Sequence, residues 1–273
     1  MLRNLNDFEK CVIGATDGDI GHVKDLYFDD HAWAIRYLIV DTGSWLSSRK
    51  VLISPISIQE PDWPAHRLAA AITRDQVKNS PDIDTDKPVS RQHEMQYLGH
   101  YGYADYWGGA GMWGGGMVPM AMYPGYAAFP GGAADREQAI KEGAKIERER
   151  HRDDDPNLRS CADVVGYHIH ATDGEVGHVE GFLIDDETWA IRYLVVNTSN
   201  WWLGHKVLIA PQWVDAVYWS DQTVAVDLGR EAVKASPPYD PSAALDRQQE
   251  TGLHTHYGRP PYWKAGSTLE REI

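Results

Sequence analysis

The sequence predicts a mainly β protein built from two tandem small antiparallel β-barrels with short helical and aromatic tails, fused as a pseudo-dimer. Three observations predict this class. The first part of the chain recurs in the second part at a constant spacing, each copy divides into short apolar segments separated by turn residues, and neither copy holds a long helical pattern. Short strands without a long helix favour a closed sheet, because closure removes exposed strand edges.

The internal repeat keeps one register throughout. Residues 15–23, ATDGDIGHV, recur 156 positions later at 171–179 as ATDGEVGHV, and residues 33–38, WAIRYL, recur unchanged at 189–194. Two copies are too few for a solenoid, whereas a two-fold pairing of two copies closes on itself. We therefore expect the two copies to pack against each other through similar faces.

The repeat defines the predicted domains. Residues 1–107 form a first unit with an aromatic tail, and residues 157–263 form a second unit of the same plan. Between them, residues 108–156 join a Gly/Met/Pro-rich loop to a charged helical linker, and residues 264–273 are a C-terminal tail.

Turn signals and alternation predict the elements of each unit. The strands of the first unit are expected at residues 10–15, 21–28, 32–41 and 50–54, with further pairings from 56–59 and 68–72. Asp17-Gly18 is a hairpin signal, since glycine tolerates positive φ. Residues 32–41 are apolar on both faces, which indicates a central strand. Residues 73–76 predict a helix start or a turn, with Thr73 as the N-cap.

These segments resemble the PRC-barrel family. The resemblance rests on the hairpin at 16–23, the acidic pair Asp29-Asp30, the strand at 33–40 and the segment VLISP at 51–55, and it occurs twice in register. The family includes the cytoplasmic domain of the photosynthetic reaction-centre H subunit and the C-terminal domain of a ribosome maturation factor. The resemblance implies a small barrel used for assembly and contact, with no catalytic motif to transfer.

Charge and composition narrow the classes of partner. Lys plus Arg number 26 and Asp plus Glu number 40, for a net charge of −14. An acidic surface repels phosphate backbones, so we expect no nucleic-acid partner. The sequence lacks an apolar run of about 18 residues, so no spanning helix is expected. We expect a cytoplasmic protein, with a peripheral position at the inner membrane as the alternative.

The predicted function is non-catalytic: a module for assembly that binds another protein and pairs its own two units. We predict no catalytic residue, cofactor or metal. Aromatic and methionine side chains would supply the interface, with an acidic rim selecting partners by charge. The predicted interface residues are Trp45, Met112, Trp113, Met117, Met120, Met122, Trp201 and Trp202. The predicted structural residues are Asp17, Gly18, Gly21, Arg36, Asp173, Gly174, Gly177 and Arg192.

Two other functions stay open. One is a metal-dependent enzyme using His168 and His170, whose spacing would place both imidazoles on one strand face; His254 and His256 share that spacing. The matching positions in the first unit are not paired histidines, which disfavours a metal site needed by both units. The other is a peripheral membrane or photosynthetic electron-transport assembly factor resembling the reaction-centre H subunit.

Two arginines lie among apolar residues on the predicted central strands, Arg36 in the first unit and Arg192 in the second. A buried guanidinium needs a carboxylate or several carbonyl groups around it. We therefore expect a structural ion pair within each barrel, with Asp29 or Asp30 as the partner in the first unit.

Overall fold

Two β-sheets form the framework of the computed structural model, which describes residues 1–59, 61–81, 97–103, 158–198 and 205–264. The strands of the first unit are β1 (Leu2–Asn4), β2 (Val12–Ala15), β3 (Gly18–Asp29), β4 (Ala34–Asp41), β5 (Lys50–Ile53) and β6 (Arg67–Ala69). Its helices are α1 (Leu5–Glu9) and α2 (Arg74–Lys78), residues 97–101 are also helical, and 3-10 turns lie at Gly43–Leu46 and Pro55–Ser57.

The second unit repeats this plan and adds a strand. Its strands are β7 (Leu158–Ser160), β8 (His168–Ala171), β9 (Gly174–Asp185), β10 (Ile191–Asn197), β11 (Lys206–Ile209), β12 (Val214–Tyr218) and β13 (Thr223–Val226). Its helices are α3 (Cys161–Val164), α4 (Arg230–Lys234) and α5 (Arg247–His256), with a 3-10 turn at Pro211–Trp213. The mainly β class with two β-rich units is confirmed.

The sheets differ from the predicted antiparallel barrels in two respects. The six-stranded sheet has the order β5-β4-β3-β2-β6, with β7 also paired to β3. The seven-stranded sheet has the order β11-β10-β9-β8-β13-β12, with β1 also paired to β9, so within the described residues each order keeps two ends. The pairs β2–β6 and β8–β13 are parallel. In the first unit the chain crosses over after β5 and returns beside β2, and in the second unit it crosses over after β11 and returns beside β8. The long strands β3 and β9 carry register shifts, which bend a sheet without closing it.

The first strand of each unit lies in the sheet of the other unit. Strand β1 pairs with β9 through Leu2↔Asp185, and β7 pairs with β3 through Leu158↔Asp29. These two pairings are related by the 156-residue repeat. The exchange is therefore reciprocal, and each sheet is completed by a strand from the other half of the chain.

The seam between the units lies at the turns that precede β4 and β10. Ala34 forms a bridge with Ala190, Ile35 N donates to Trp189 O at 2.8 Å, and Ile191 N donates to Trp33 O at 2.7 Å. Trp33 and Trp189 have φ values of 49° and 60°, which are unusual for bulky residues. This strained backbone presents the two carbonyl groups that pair across the seam.

A continuous apolar core spans both units. Phe28 lies against Phe182 with ring centroids 5.9 Å apart, and Phe8 lies against Trp189 at 5.5 Å. One buried cluster contains residues of both sheets, from Leu5 to Tyr262. Among the described residues, no helix is both long enough and apolar enough to cross a membrane.

Candidate functional site

The seam carries two matching groups, each made of an arginine, an aspartate and a tryptophan. Arg159 Nε lies 3.1 Å from Asp30 Oδ2 of the other unit, and its guanidinium carbon lies 4.2 Å from the centre of the Trp219 ring. Arg3, Asp186 and Trp63 form the equivalent group, at 3.4 Å and 4.6 Å. An arginine stacked on an aromatic face gains cation–π attraction in addition to its ion pair. The exchanged strands are thus anchored by charge as well as by backbone pairing.

The buried arginines have the carboxylate partners that the sequence leads us to expect. Arg36 Nη2 lies 3.3 Å from Asp29 Oδ2, and Arg192 Nη2 lies 3.2 Å from Asp185 Oδ2. Burial alone would raise the pKa of Asp185, but the charge of Arg192 and hydrogen bonds from Glu187 and Thr188 lower it below its ordinary value. Each pair fixes the acidic turn at the end of the long strand.

The aspartates of the repeated hairpin turns stabilise the starts of two short helices. Asp17 Oδ1 accepts a hydrogen bond from Arg74 N at 2.8 Å, and Asp173 Oδ1 accepts one from Arg230 N at 2.7 Å. Each aspartate therefore satisfies a free amide at the start of α2 or α4. The following glycines, Gly18 and Gly174, lie at φ values of 143° and 134°.

A buried polar cluster attaches α5 to the second sheet. The Tyr193 hydroxyl donates to Glu250 Oε2 at 2.9 Å and lies 3.0 Å from His254 Nε2. The Tyr262 hydroxyl also donates to Glu250, at 3.0 Å, and Arg247 lies 3.2 Å from Glu250 Oε1. The cluster uses side chains one helical turn apart, which share the buried face of α5.

The placement of His254 and His256 on one strand face was wrong, because both lie on α5. Residues two apart on a helix face in different directions. His254 is buried, while His256 is exposed and its Nε2 lies 2.8 Å from Ala232 O. The structure therefore does not bring these two imidazoles together.

We expect stability to fall when the protein is acidified, because of His254. Burial lowers the pKa of His254 to about 4, whereas an unfolded chain has a histidine pKa of about 6.5. Between these values the unfolded state binds a proton that the folded state does not, so the free energy of unfolding decreases as pH falls. We expect a loss on the order of 2 kcal/mol from this residue between about pH 7 and pH 4.

Urea unfolding at pH 7.5 and pH 4.5 measures this effect. The variant His254→Leu, which copies Leu98 of the first unit, should show a smaller loss on acidification than the parent chain. His256→Leu is the matched control and should keep the parent's loss. Equal losses in the parent and in His254→Leu would show that other groups cause the acid sensitivity.

Of the predicted interface residues, the described part of the chain includes Trp45. Its side chain is half-buried, its Nε1 donates to Ile20 O at 2.5 Å, and the guanidinium carbon of Arg74 lies 4.2 Å from the ring centre. The remaining predicted interface residues lie outside the described residues: Met112, Trp113, Met117, Met120, Met122, Trp201 and Trp202.

The histidines of the metal hypothesis lie on β8. His168 Nδ1 is 2.8 Å from Glu175 Oε1, and both side chains are exposed, as is His170. Within the described ranges, no group of three or more His, Cys, Asp or Glu side chains is arranged to hold a metal ion. The enzyme alternative stays a prediction.

Sequence reasoning missed the residues of the seam. Arg3 recurs as Arg159, Trp63 as Trp219 and Asp30 as Asp186, all at the spacing of the repeat. The repeat could therefore have identified these residues as a related set. It could not have shown that the arginine of one unit meets the aspartate of the other, because a repeat is silent about which copy supplies a contact.

Part of the first unit matches a known protein family. Residues 6–63, which cover α1 to the 3-10 turn after β5 and the loop beyond it, match the PRC-barrel domain. The first unit thus contains a PRC-barrel domain. The chain is also 30% identical over 114 residues to an uncharacterized protein of Deinococcus radiodurans, and the match covers 36% of this chain and 41% of that relative.

Proposed function

We propose that the protein is a non-catalytic assembly module, in which two PRC-barrel-like units form one platform that binds another protein. The observation that carries this proposal is the reciprocal exchange of β1 and β7. The exchanged strands and the shared core hold the two units in a fixed relative position. A scaffold that presents two paired surfaces requires such a fixed arrangement.

The repeated strand pairing within each unit supports a second PRC-barrel-like unit. Strand β9 pairs with β8 and β10 in the same register as β3 pairs with β2 and β4, at the repeat spacing. For example, the pair His168↔His178 of the second unit matches the pair Val12↔His22 of the first. Strands β8 to β11 and β13 therefore follow the plan of β2 to β6 in the unit that contains the matched domain, and β12 is added. The acidic balance of the chain, with its net charge of −14, favours a partner with a basic surface.

The partner surface is expected to include the Gly/Met/Pro-rich stretch at residues 108–132. Replacing it with a Gly/Ser segment of equal length keeps the spacing between the units and removes its methionine and aromatic side chains. We expect capture of the partner by cross-linking in native cells to fall at least fivefold, while the thermal stability of the two units stays unchanged.

The matched control replaces residues 265–273 in the same way. Quantitative mass spectrometry of cross-linked proteins compares the parent chain with the two variants. The proposal fails if the parent cross-links to no protein above the level of an untagged control, or if both replacements reduce capture equally. Recovery of the protein with the membrane fraction, cross-linked to lipid rather than protein, would favour the peripheral membrane alternative.

A further inference from the structure

The exchange is symmetric, but the residues at some matching positions of the seam differ. Asp25 of β3 accepts hydrogen bonds from Ser160 Oγ at 2.6 Å and from Ala162 N at 3.0 Å. The matching position in β9 is Gly181, and the matching position to Ser160 is Asn4. The carboxylate that fills the seam on the first side is therefore absent on the second.

A cleft of about 170 Å³ lies at Gly181, between α1 of the first unit and β9 to β11 of the second. It is lined by Asn4, Asn6, Asp7, Lys10, Glu180, Gly181, Val195, Lys206 and Pro241. A Cβ atom at Gly181 would have Asn4 Oδ1, at 3.9 Å, as its nearest contact among the described residues, so the position is open. Sites for cofactors and drug-sized molecules usually measure about 300–1,000 Å³, so the cleft suits a smaller ligand.

The charges around the cleft balance. Glu180 Oε1 lies 2.5 Å from Lys206 Nζ, and Asp7 Oδ1 lies 3.3 Å from Lys10 Nζ. The Asp7–Lys10 pair is largely exposed and costs little to rearrange. Two carboxylates and two ammonium groups therefore surround one small space.

Glu180 Oε2 is shielded from solvent and has no hydrogen-bond partner among the described residues. An acceptor without a donor is costly, and the Glu180 side chain as a whole is 34% exposed, so a rotation of this side chain toward the cleft would let a ligand donate a hydrogen bond to the oxygen. The first unit has Lys24 at the matching position. This acceptor is therefore particular to the second side of the seam.

We propose that the cleft binds a small zwitterion, a free amino acid with a short side chain. The ammonium group of the ligand donates to Glu180 and Asp7, and its carboxylate accepts from Lys206 and Lys10. A ligand with both charges complements both kinds of side chain, whereas a ligand of one charge faces two like charges. The site is independent of the proposed protein-binding role, and either can fail without the other.

Titration of the full-length chain with glycine, L-alanine and L-serine, followed by NMR of the labelled protein, tests the site. Trimethylglycine keeps both charges but has no N–H donor for Glu180. We expect saturable binding of at least one of the three amino acids and at least tenfold weaker binding of trimethylglycine. Failure of all three to bind, or equal binding of trimethylglycine, overturns the proposal.

Three variants locate the binding. Gly181→Asp places the carboxylate of the first unit into the cleft and should weaken binding at least tenfold. Glu180→Gln keeps the shape of the side chain and should weaken binding severalfold, which keeps the test decisive if Gly181→Asp does not fold. Lys24→Glu, at the matching exposed position of the first unit, is the control and should bind as the parent does. Unchanged binding in Glu180→Gln overturns the proposal.

Discussion

Replacing Gly177 with alanine is expected to lower the free energy of unfolding by about 3 kcal/mol or more. A Cβ at this position would lie 2.1 Å from Asn197 O and 3.0 Å from the carbonyl carbon of the same residue. These are backbone atoms of the neighbouring strand β10, so they cannot turn aside as a flexible side chain would. Gly177 also has a φ of +144°, which an L-residue with a side chain rarely adopts.

The repeat supplies a second instance of this contact. A Cβ at Gly21 would lie 1.9 Å from Asp41 O of β4, so Gly21→Ala should destabilise the protein to a similar extent. Gly252→Ala is the control, because Gly252 lies in α5 and an added Cβ would meet no described atom within 4 Å. That helical replacement should raise the free energy of unfolding by about 0.5–1 kcal/mol. Urea unfolding measures all three, and a change below about 0.5 kcal/mol for Gly177→Ala would contradict the close approach.

The replacement Arg36→Met is expected to cost about 3 kcal/mol of stability. The Arg36 side chain is 3% exposed and its partner Asp29 is 14% exposed, so the change leaves a carboxylate charge with little access to water. Asp29 also accepts from His31 N and Ala32 N, both at 2.9 Å, which ties the loss to the turn that leads into the seam. Urea unfolding at pH 7 measures the loss.

Two further variants separate the ion pair from the loss of a long side chain. Arg36→Met combined with Asp29→Asn removes both charges and should recover part of the stability. Arg67→Met breaks the pair with Asp19, whose side chains are 43% and 60% exposed, and should cost less than about 1 kcal/mol. If Arg36→Met were as mild as Arg67→Met, the buried pair would not stabilise the fold.

The local features of this protein could be predicted from its sequence because they depend on neighbours in the chain. Asp17-Gly18 predicted a hairpin, and Thr73 caps α2 with the capping box that it forms with Gln76. The apolar strand at 32–41 is β4, which lies inside the sheet between β5 and β3. Arg36 predicted an acidic partner, because a guanidinium on such a strand needs one.

The long-range features could not be predicted in the same way. Nothing in the sequence Leu2-Arg3-Asn4 shows that it pairs with residues 183–185 rather than with its own sheet. The parallel direction of β6 beside β2 depends on where the chain crosses over, which alternation of side chains does not report. The cleft at Gly181 depends on a local feature and on a long-range feature. The glycine itself can be read from the sequence, but it opens a cleft only because the exchanged strand β1 faces it.

The exchange of β1 and β7 also constrains how this gene can change. A substitution in β3 is accepted or rejected against residues of β7, which the other copy encodes, so neither copy is free to drift alone. Asp25 meets Ser160 on one side, and Gly181 faces Asn4 on the other, so a change at either position is felt by the other half of the chain. Each half of the chain therefore limits which residues the other half accepts at the exchanged strands.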